Sequence, residues 1–101
     1  MARYCSHTVI LPDETRLTNF VVEVGGCVEA YYPFTGEQHT TIYFETPILL
    51  SYRGDLGGKT IALTQLAWAL CGEGADGGMM YAYRLIPCSS CTGERFVMSK
   101  L

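Results

Sequence analysis

Two cysteines near the C-terminus, Cys88 and Cys91, are separated by two serines. Two thiolates at this spacing on the tip of a hairpin can bind one tetrahedral metal ion, most commonly zinc. A closed zinc site needs two further ligands. Cys5 and His7 are the best candidates, because residues two apart on a strand point to the same face. One interpretation of the pair is therefore a zinc site.

The same pair has two other interpretations. A thiol-redox role requires Cys88 at a helix N-terminus, which would lower its pKa, whereas residues 92–97 favour a turn and a strand. An inert or adventitiously oxidised hairpin pair is the third interpretation. The chain has five cysteines, an odd count without a second C-x-x-C, and Cys27 or Cys71 could replace either additional zinc ligand. These alternatives stay open at this point.

Residues 52–63, YRGDLGGKTIAL, contain a Gly-Gly-Lys-Thr sequence similar to a phosphate-binding loop. That loop needs four residues between its first glycine and the Gly-Lys-Thr. Only three residues follow Gly54 before Gly58, and the position of the first glycine is occupied by Arg53. We therefore expect a structural connection, in which Gly54, Gly57 and Gly58 permit a tight bend, and no nucleotide site.

Two further patterns are coincidental. The residues from Gly72 to Gly77 match G-x-G-x-x-G, but they follow a predicted helix and precede a strand, the reverse of the dinucleotide-binding context. The triplet from Arg53 to Asp55 matches an adhesion motif in a chain that we expect to be intracellular. Neither pattern predicts a binding site.

No catalytic constellation is visible in the sequence. His7 and His39 are the two histidines, and Ser6 cannot face His7 within one strand. Neither G-x-S-x-G nor H-E-x-x-H occurs. We therefore expect a protein that is not an enzyme.

The first half of the chain is typical of short strands separated by turns. β-Branched and aromatic residues dominate these segments. Gly25 and Gly26 predict a tight hairpin, since glycine reaches positive φ without steric cost. The predicted strands are 4–11, 17–24, 27–32, 40–45 and 48–53.

The segment from Thr60 to Cys71 predicts the one helix. Its apolar residues recur at i, i+3, i+4 and i+7, and Gly72 follows as a stop signal. Ile61 and Trp68 lie opposite this stripe with Gln65 between them. The helix would therefore carry a second apolar face, and we expect either a loop of the same chain or a partner subunit to cover it. The apolar stripe consists of Leu63, Leu66, Ala67 and Leu70.

The remaining segments, 79–87 and 94–101, predict a C-terminal hairpin. Together the elements predict a β-rich α+β domain: a small sandwich or barrel-like arrangement of antiparallel sheets, one helix at 60–71 and the hairpin. A chain of 101 residues fits a single domain, 1–101.

Composition excludes several classes of function. The net charge is −3, and the three basic residues near the C-terminus are too few to form the positively charged surface that nucleic-acid-binding proteins carry. The apolar runs are far shorter than the ~20 residues of a membrane span. The N-terminus lacks the apolar segment of a secretory signal, so we expect a cytoplasmic protein that binds neither nucleic acid nor membrane.

Residues from Arg3 to Arg53 have a familiar order: a strand with His7 near its middle, a turn at Pro12, and a hairpin from Phe20 to Val28. This order resembles the small composite β-sandwich at the N-terminus of amidohydrolase-type metal-dependent hydrolases. Those enzymes continue into an H-x-H metal motif and a (β/α) barrel, and the chain has neither. The resemblance implies a stand-alone relative of the composite domain, without its hydrolase activity or its metal.

These observations favour a non-catalytic domain that needs no cofactor and works through self-association, as a possible homodimer, or through a protein partner. The contact predicted from the sequence consists of Ile61, Gln65 and Trp68. The alternative is a zinc- or thiol-binding module built on Cys88 and Cys91.

Overall fold

The computed structural model describes residues 2–36, 41–62, 79–88 and 95–101. Within these residues the chain forms eight strands and no helix, so the α+β prediction is wrong and the described part is all-β. The strands are β1 (Ala2–Ile10), β2 (Arg16–Gly25), β3 (Cys27–Pro33), β4 (Thr41–Phe44), β5 (Ile48–Ser51), β6 (Thr60–Ala62), β7 (Tyr81–Pro87) and β8 (Arg95–Lys100).

All eight strands belong to one mixed sheet. Seven follow the order β3-β2-β1-β5-β7-β8-β6, and β4 joins the sheet outside this order by pairing with β1. One edge of β1 pairs with β2 antiparallel. Its other edge pairs in parallel with β4 along residues 3–6 and with β5 at residues 9–10. The expectation of purely antiparallel sheets is therefore wrong, because β4 and β5 follow one another along the second edge of β1 in the direction of β1.

Both turns of the N-terminal meander form where the sequence predicts them. The Asp13 carboxylate accepts a hydrogen bond from the backbone N–H of Thr15 at 2.9 Å, which fixes the turn between β1 and β2. Gly26 has a φ of 84° at the tip of the hairpin between β2 and β3. A residue with a side chain would be strained there, so the glycine is required by the backbone.

The predicted C-terminal hairpin has its two strands in place. β7 and β8 pair antiparallel from Tyr83 opposite Lys100 to Pro87 opposite Phe96. The backbone N–H of Cys88 donates to the carbonyl oxygen of Arg95 at 3.0 Å, which extends this pairing by one step. Residues 89–94, including Cys91, lie outside the described part of the chain.

The predicted helix at 60–71 is wrong where the structure describes it. Residues Thr60–Ala62 form β6, which pairs antiparallel with β8. Ile61 is 2% exposed in the core, and hydrogen bonds join Gly58 and Lys59 to Met98. The pairing of this segment with a distant strand, and the burial of a β-branched residue in it, thus override the helical periodicity of the local sequence. Residues 63–71 lie outside the described segments.

The loop from Tyr52 to Lys59 connects two strands, β5 and β6, and not a strand and a helix as the sequence predicted. The Tyr83 hydroxyl donates to the carbonyl oxygen of Arg53 at 2.6 Å. Arg53 in turn contacts Asp55 through two hydrogen bonds of 3.2 Å. Leu56 is fully buried and anchors the loop to the core, and Gly58 has a φ of 82° at the entry to β6. These contacts fasten the loop at both ends.

Two hydrophobic clusters lie on opposite faces of the central strands. The first is fully buried and packs between β5, β7, β8, β6 and the loop; its members are Ile10, Leu49, Leu56, Ile61, Tyr83, Leu85 and Met98. The second contains Val9, Val22, Val24, Ile48, Leu50 and Ala82, and many of the side chains around it are only partly buried. We call β5–β8 with residues 52–59 the closed half, and β1–β4 the open half.

The open half contains an irregularity shared by β1 and β2. Asn19 has a φ of 56°, a left-handed conformation that asparagine tolerates better than most residues. Tyr4 and Phe20 pack against the second cluster from even positions, whereas Val9 and Leu17 do so from odd positions. The side chains of β1 and β2 therefore exchange faces at the level of Asn19.

Candidate interaction surface

β4 lies at the border of the open half. In the part of the chain that the structure describes, β4 pairs with one strand only, β1. Two of its four residues are large, apolar and exposed: Ile42 is 51% and Tyr43 is 57% exposed. Consecutive residues of a strand point to opposite faces, so an apolar side chain flanks the strand on each side of the sheet. This arrangement suits the addition of another strand.

The other borders of the sheet differ from β4. β3 carries Glu29 and ends at Pro33, two features that discourage pairing with a further strand. β6 has only three residues. β4 contains neither a charge nor a proline. Within its own four residues, β4 is therefore uncharged and apolar, and contains neither the charge nor the proline that discourages pairing at β3.

The neighbours of β4 extend an apolar surface into the sheet. Ile42 lies opposite Tyr4 of β1, and Tyr4 lies opposite Val22 of β2. The rings of Tyr4 and Phe44 stack with their centroids 5.3 Å apart. Tyr31 of β3 lies opposite Val22 and is 40% exposed. Aromatic side chains therefore continue from β4 across one face of the open half.

A buried serine bridges the break between β4 and β5. The Ser6 hydroxyl donates to the carbonyl oxygen of Thr46 at 2.8 Å and accepts the backbone N–H of Thr8 at 3.2 Å. Ser6 is fully buried, so its hydroxyl supplies a hydrogen bond where the regular pairing of β1 stops. This bond helps hold β4 against β1 although the chain is irregular immediately after it.

The opposite face of the open half carries a polar network across three strands. Glu23 accepts hydrogen bonds from the Tyr32 hydroxyl at 2.6 Å and from Arg3 Nε at 3.0 Å. The bond from Tyr32 and then that from Arg3 hold the pKa of Glu23 below its ordinary value. The ionised carboxylate therefore links β1, β2 and β3, and its polar contacts suit a structural role.

The two metal ligands predicted on β1 have different surroundings. Cys5 is 1% exposed, and burial raises the pKa of its thiol, which favours the protonated form. His7 is exposed, with its Nδ1 3.1 Å from Oδ1 of Asn19. The two side chains do not share an open face, because β1 exchanges faces beside Asn19.

The other predicted ligands are not brought together in the described segments. Cys88 is partly buried at the end of β7, and Cys27 is partly buried beside the turn at Gly26. Among residues 2–36, 41–62, 79–88 and 95–101, no group of three or more Cys, His, Asp or Glu side chains could hold a metal ion. Cys71 and Cys91 lie outside these ranges, so the zinc interpretation of Cys88 and Cys91 stays a prediction.

The sequence predicted a contact surface on a helix, and Ile61 is the one member of that surface within the described residues. The structure does not place Ile61 on such a surface. Ile61 belongs to the buried cluster of the closed half and is unavailable to a partner. Gln65 and Trp68 lie outside the described residues. The reason for the correction is the pairing of β6 with β8, which turns Ile61 inward.

Sequence reasoning identified β4 as a strand but missed Ile42 and Tyr43 as surface residues. The signal was an uncharged, β-branched and aromatic run between His39 and Glu45. Such a run is equally typical of a buried strand, because exposure depends on what lies beside the strand and on its other face.

No family model, curated protein or solved structure matches the chain. The resemblance of residues 3–53 to the composite domain of amidohydrolase-type enzymes accordingly stays an expectation from the sequence. No described segment forms a helix long and apolar enough to cross a membrane.

Proposed function

We propose that the chain is a small, non-catalytic β domain that self-associates through β4. One observation carries the proposal: an uncharged strand, paired on one side only among the described strands, exposes Ile42 and Tyr43 on its two faces. Exposed apolar groups on a sheet border that contains neither charge nor proline favour pairing with another strand. The sequence led us to expect self-association through a helix, and we now propose β4 as the contact instead. The cytoplasm stays the proposed location of the protein.

The proposed occupant is a second copy of the chain, with the two β4 strands antiparallel about a two-fold axis. Such an axis is perpendicular to the sheet, so residues that lie opposite each other must be on the same face of β4. An axis at the level of Tyr43 places the two Tyr43 side chains opposite each other on one face. On the other face it places each Ile42 opposite the Phe44 of the second copy, an aromatic and β-branched pair that is a favourable cross-strand combination. Because β4 carries no charge, this pairing brings no like charges together within the strand.

The proposed contact is small. Four residues per copy, Thr41–Phe44, cover much less than the ~1,600 Å² of a standard stable interface. We therefore expect a reversible dimer with a dissociation constant between about 1 μM and 1 mM. Association at these concentrations is accessible to sedimentation equilibrium.

The experiment compares the wild type with Tyr43→Lys by sedimentation equilibrium over a range of concentrations. The substitution replaces the two opposed tyrosines by two like charges on one face of the dimer. We expect the dissociation constant to rise by about tenfold or more.

Tyr31→Lys is the matched control, since Tyr31 is also an exposed tyrosine but lies on β3, at the opposite border of the sheet. This variant should dimerise like the wild type. A wild type that stays monomeric at about 1 mM would refute the proposal. Equal weakening by both substitutions would show that another surface mediates association.

A further inference from the structure

Arg84 is a cation that lies against the border strand β4. It stands on β7 opposite Ile48, and Ile48 belongs to the second hydrophobic cluster. The guanidinium carbon of Arg84 lies over the ring of Phe44, 4.6 Å from the ring centroid. A cation at this distance is attracted by the negative face of an aromatic ring. Arg84 therefore connects a strand of the closed half to β4.

The ring of Phe44 has a second contact, within the open half. It stacks with the ring of Tyr4, with 5.3 Å between the centroids and 13° between the planes. Tyr4 lies on β1 and Arg84 on β7, so two strands of the sheet contact the same ring. A side chain that is held in this way has little conformational entropy left to lose when another molecule packs on it.

Phe44 is also the residue that the proposed dimer places opposite Ile42 of the second copy. Ile42 lies opposite Tyr4 in the ladder, and both Tyr4 and Phe44 pack on the second cluster. These three side chains therefore share one face of the sheet, and the guanidinium lies over Phe44 there. In the dimer, Ile42 of the second copy would pack against a ring that Arg84 already contacts.

The guanidinium of Arg84 is partly desolvated in the single chain. Its Nε is buried and has no hydrogen-bond partner within the described segments. Loss of water is the main cost of burying a charged group, and part of this cost is therefore incurred before a second copy binds. A contact between a cation and a ring becomes stronger when it is desolvated. Covering this contact with Ile42 of the second copy should therefore favour the dimer.

We propose that Arg84 is a positioning residue for the β4 contact: it fixes the ring of Phe44 in the orientation that receives Ile42 of the second copy. The inference rests on the proposed self-association through β4. Arg84 acts through Phe44 and needs no contact of its own with the second copy. Because the effect depends on a positive charge over the ring, lysine should retain part of it, and an uncharged side chain of similar length should not.

The test is a double-mutant cycle measured by sedimentation equilibrium. Arg84→Met keeps a long unbranched side chain but removes the charge, so the ring of Phe44 must be ordered when the dimer forms. We expect the dissociation constant to rise about three- to tenfold. In a Phe44→Leu background, which lacks the ring, the same substitution should change the constant by less than about twofold. Arg84→Lys should weaken dimerisation less than Arg84→Met does.

Arg95→Met is the matched control, since Arg95 is an exposed arginine on β8. It should dimerise like the wild type, which separates the role of Arg84 from a general effect of net charge. The role of Arg84 is refuted if folded Arg84→Met dimerises like the wild type, or if Arg84→Lys weakens dimerisation as much. It is also refuted if Arg84→Met has the same effect with and without the Phe44 ring.

These outcomes are distinct from a failure of the proposed function. If Tyr43→Lys weakens dimerisation and Arg84→Met does not, β4 remains the contact and only the role of Arg84 is wrong. A wild type that stays monomeric at about 1 mM removes both proposals.

The wild type alone decides if Arg84→Met fails to fold. The Arg84 Nε–H resonance should move as the protein concentration rises and the dimer forms, because Ile42 of the second copy covers the ring beside it. The Arg53 Nε–H resonance should stay fixed, since Arg53 pairs with Asp55 on the loop of the closed half. An Arg84 resonance that does not move while the dimer forms would refute the proposal.

Discussion

The closed half and the open half of the sheet differ in how completely the side chains around their hydrophobic clusters are buried. In the closed half, β5 to β8 and the loop from residue 52 to residue 59 surround the first cluster, which takes six of its seven buried side chains from this half and Ile10 from β1. The second cluster takes three of its six members from each half, but on the side of the open half it is bordered by partly buried aromatic side chains and by the exposed β4. Arg84, whose Nε has no hydrogen-bond partner within the described segments, lies over Phe44 in this region.

The difference indicates a division of roles between the halves. A fully covered core supplies most of the hydrophobic stabilisation, because the free energy scales with the apolar area removed from water. Exposed apolar residues contribute little to stability and instead offer contacts to another molecule. We therefore expect substitutions in the closed half to change mainly stability, and those at β4 to change mainly association.

The largest effect on stability is expected for Leu56→Ala in the closed half. Leu56 is fully buried and is the residue by which the loop enters the core. Its truncation should lower the free energy of unfolding by about 3 kcal/mol, measured by urea denaturation.

Leu11→Ala is the control, since Leu11 is only partly buried beside the second cluster. Leu11→Ala should lower the free energy of unfolding by clearly less than Leu56→Ala does, about 1 kcal/mol. If the two substitutions have equal effects, the closed half is not the more stabilising one and the division between the halves is wrong.

A smaller effect is expected at Asn19 in the open half. Alanine disfavours the left-handed φ of 56° and cannot contact His7, so Asn19→Ala should lower the free energy of unfolding by about 1–2 kcal/mol. Asn19→Gly should cost less than Asn19→Ala, because glycine adopts this conformation freely. Urea denaturation of both variants checks the order, and a glycine variant less stable than the alanine variant would exclude backbone strain as the cause.

The smallest effect is expected at Asp55 on the loop. Hydrogen bonds from Arg53 hold the pKa of Asp55 below its ordinary value of 3.8. A carboxyl group with a lowered pKa stabilises the folded state above its unfolded pKa, and this contribution disappears as the pH falls through the folded pKa. Asp55→Asn should therefore lower the melting temperature slightly at neutral pH, and by less at an acidic pH well below 3.8.

Glu45→Gln, which removes an exposed negative charge outside the loop, serves as the control for Asp55→Asn. A melting temperature of Asp55→Asn that differs from the wild type by the same amount at both pH values would show that the ionised carboxylate is not responsible.

Much of the meander could be predicted because its signals are local. Gly25 and Gly26 specify a tight turn, and β-branched and aromatic residues in β2 and β3 specify strands on either side. Residues Thr60–Ala62 could not be predicted in the same way, because their conformation follows from pairing with β8, some 35 positions further along the chain by the register of Ile61 opposite Phe96. The local periodicity after Ile61 indicated a helix and carried no information on that partner.

The candidate surface could be predicted only in part for the same reason. The apolar character of Ile42 and Tyr43 is evident in the sequence, but their exposure follows from the position of β4 beside β1. Arg84 likewise stands in an ordinary strand sequence. Its contact with Phe44 arises from the pairing of β5 with β7 and the break between β4 and β5.

The most direct test of self-association through β4 is an isotope-filtered NOE experiment on an equal mixture of ¹³C-labelled and unlabelled chains. Such an experiment detects only contacts between copies. The proposed antiparallel pairing predicts a cross-peak between the δ-methyl of Ile42 and the ring of Phe44. A mixture that self-associates without this cross-peak, or with intermolecular contacts confined to residues outside β4, would contradict the account.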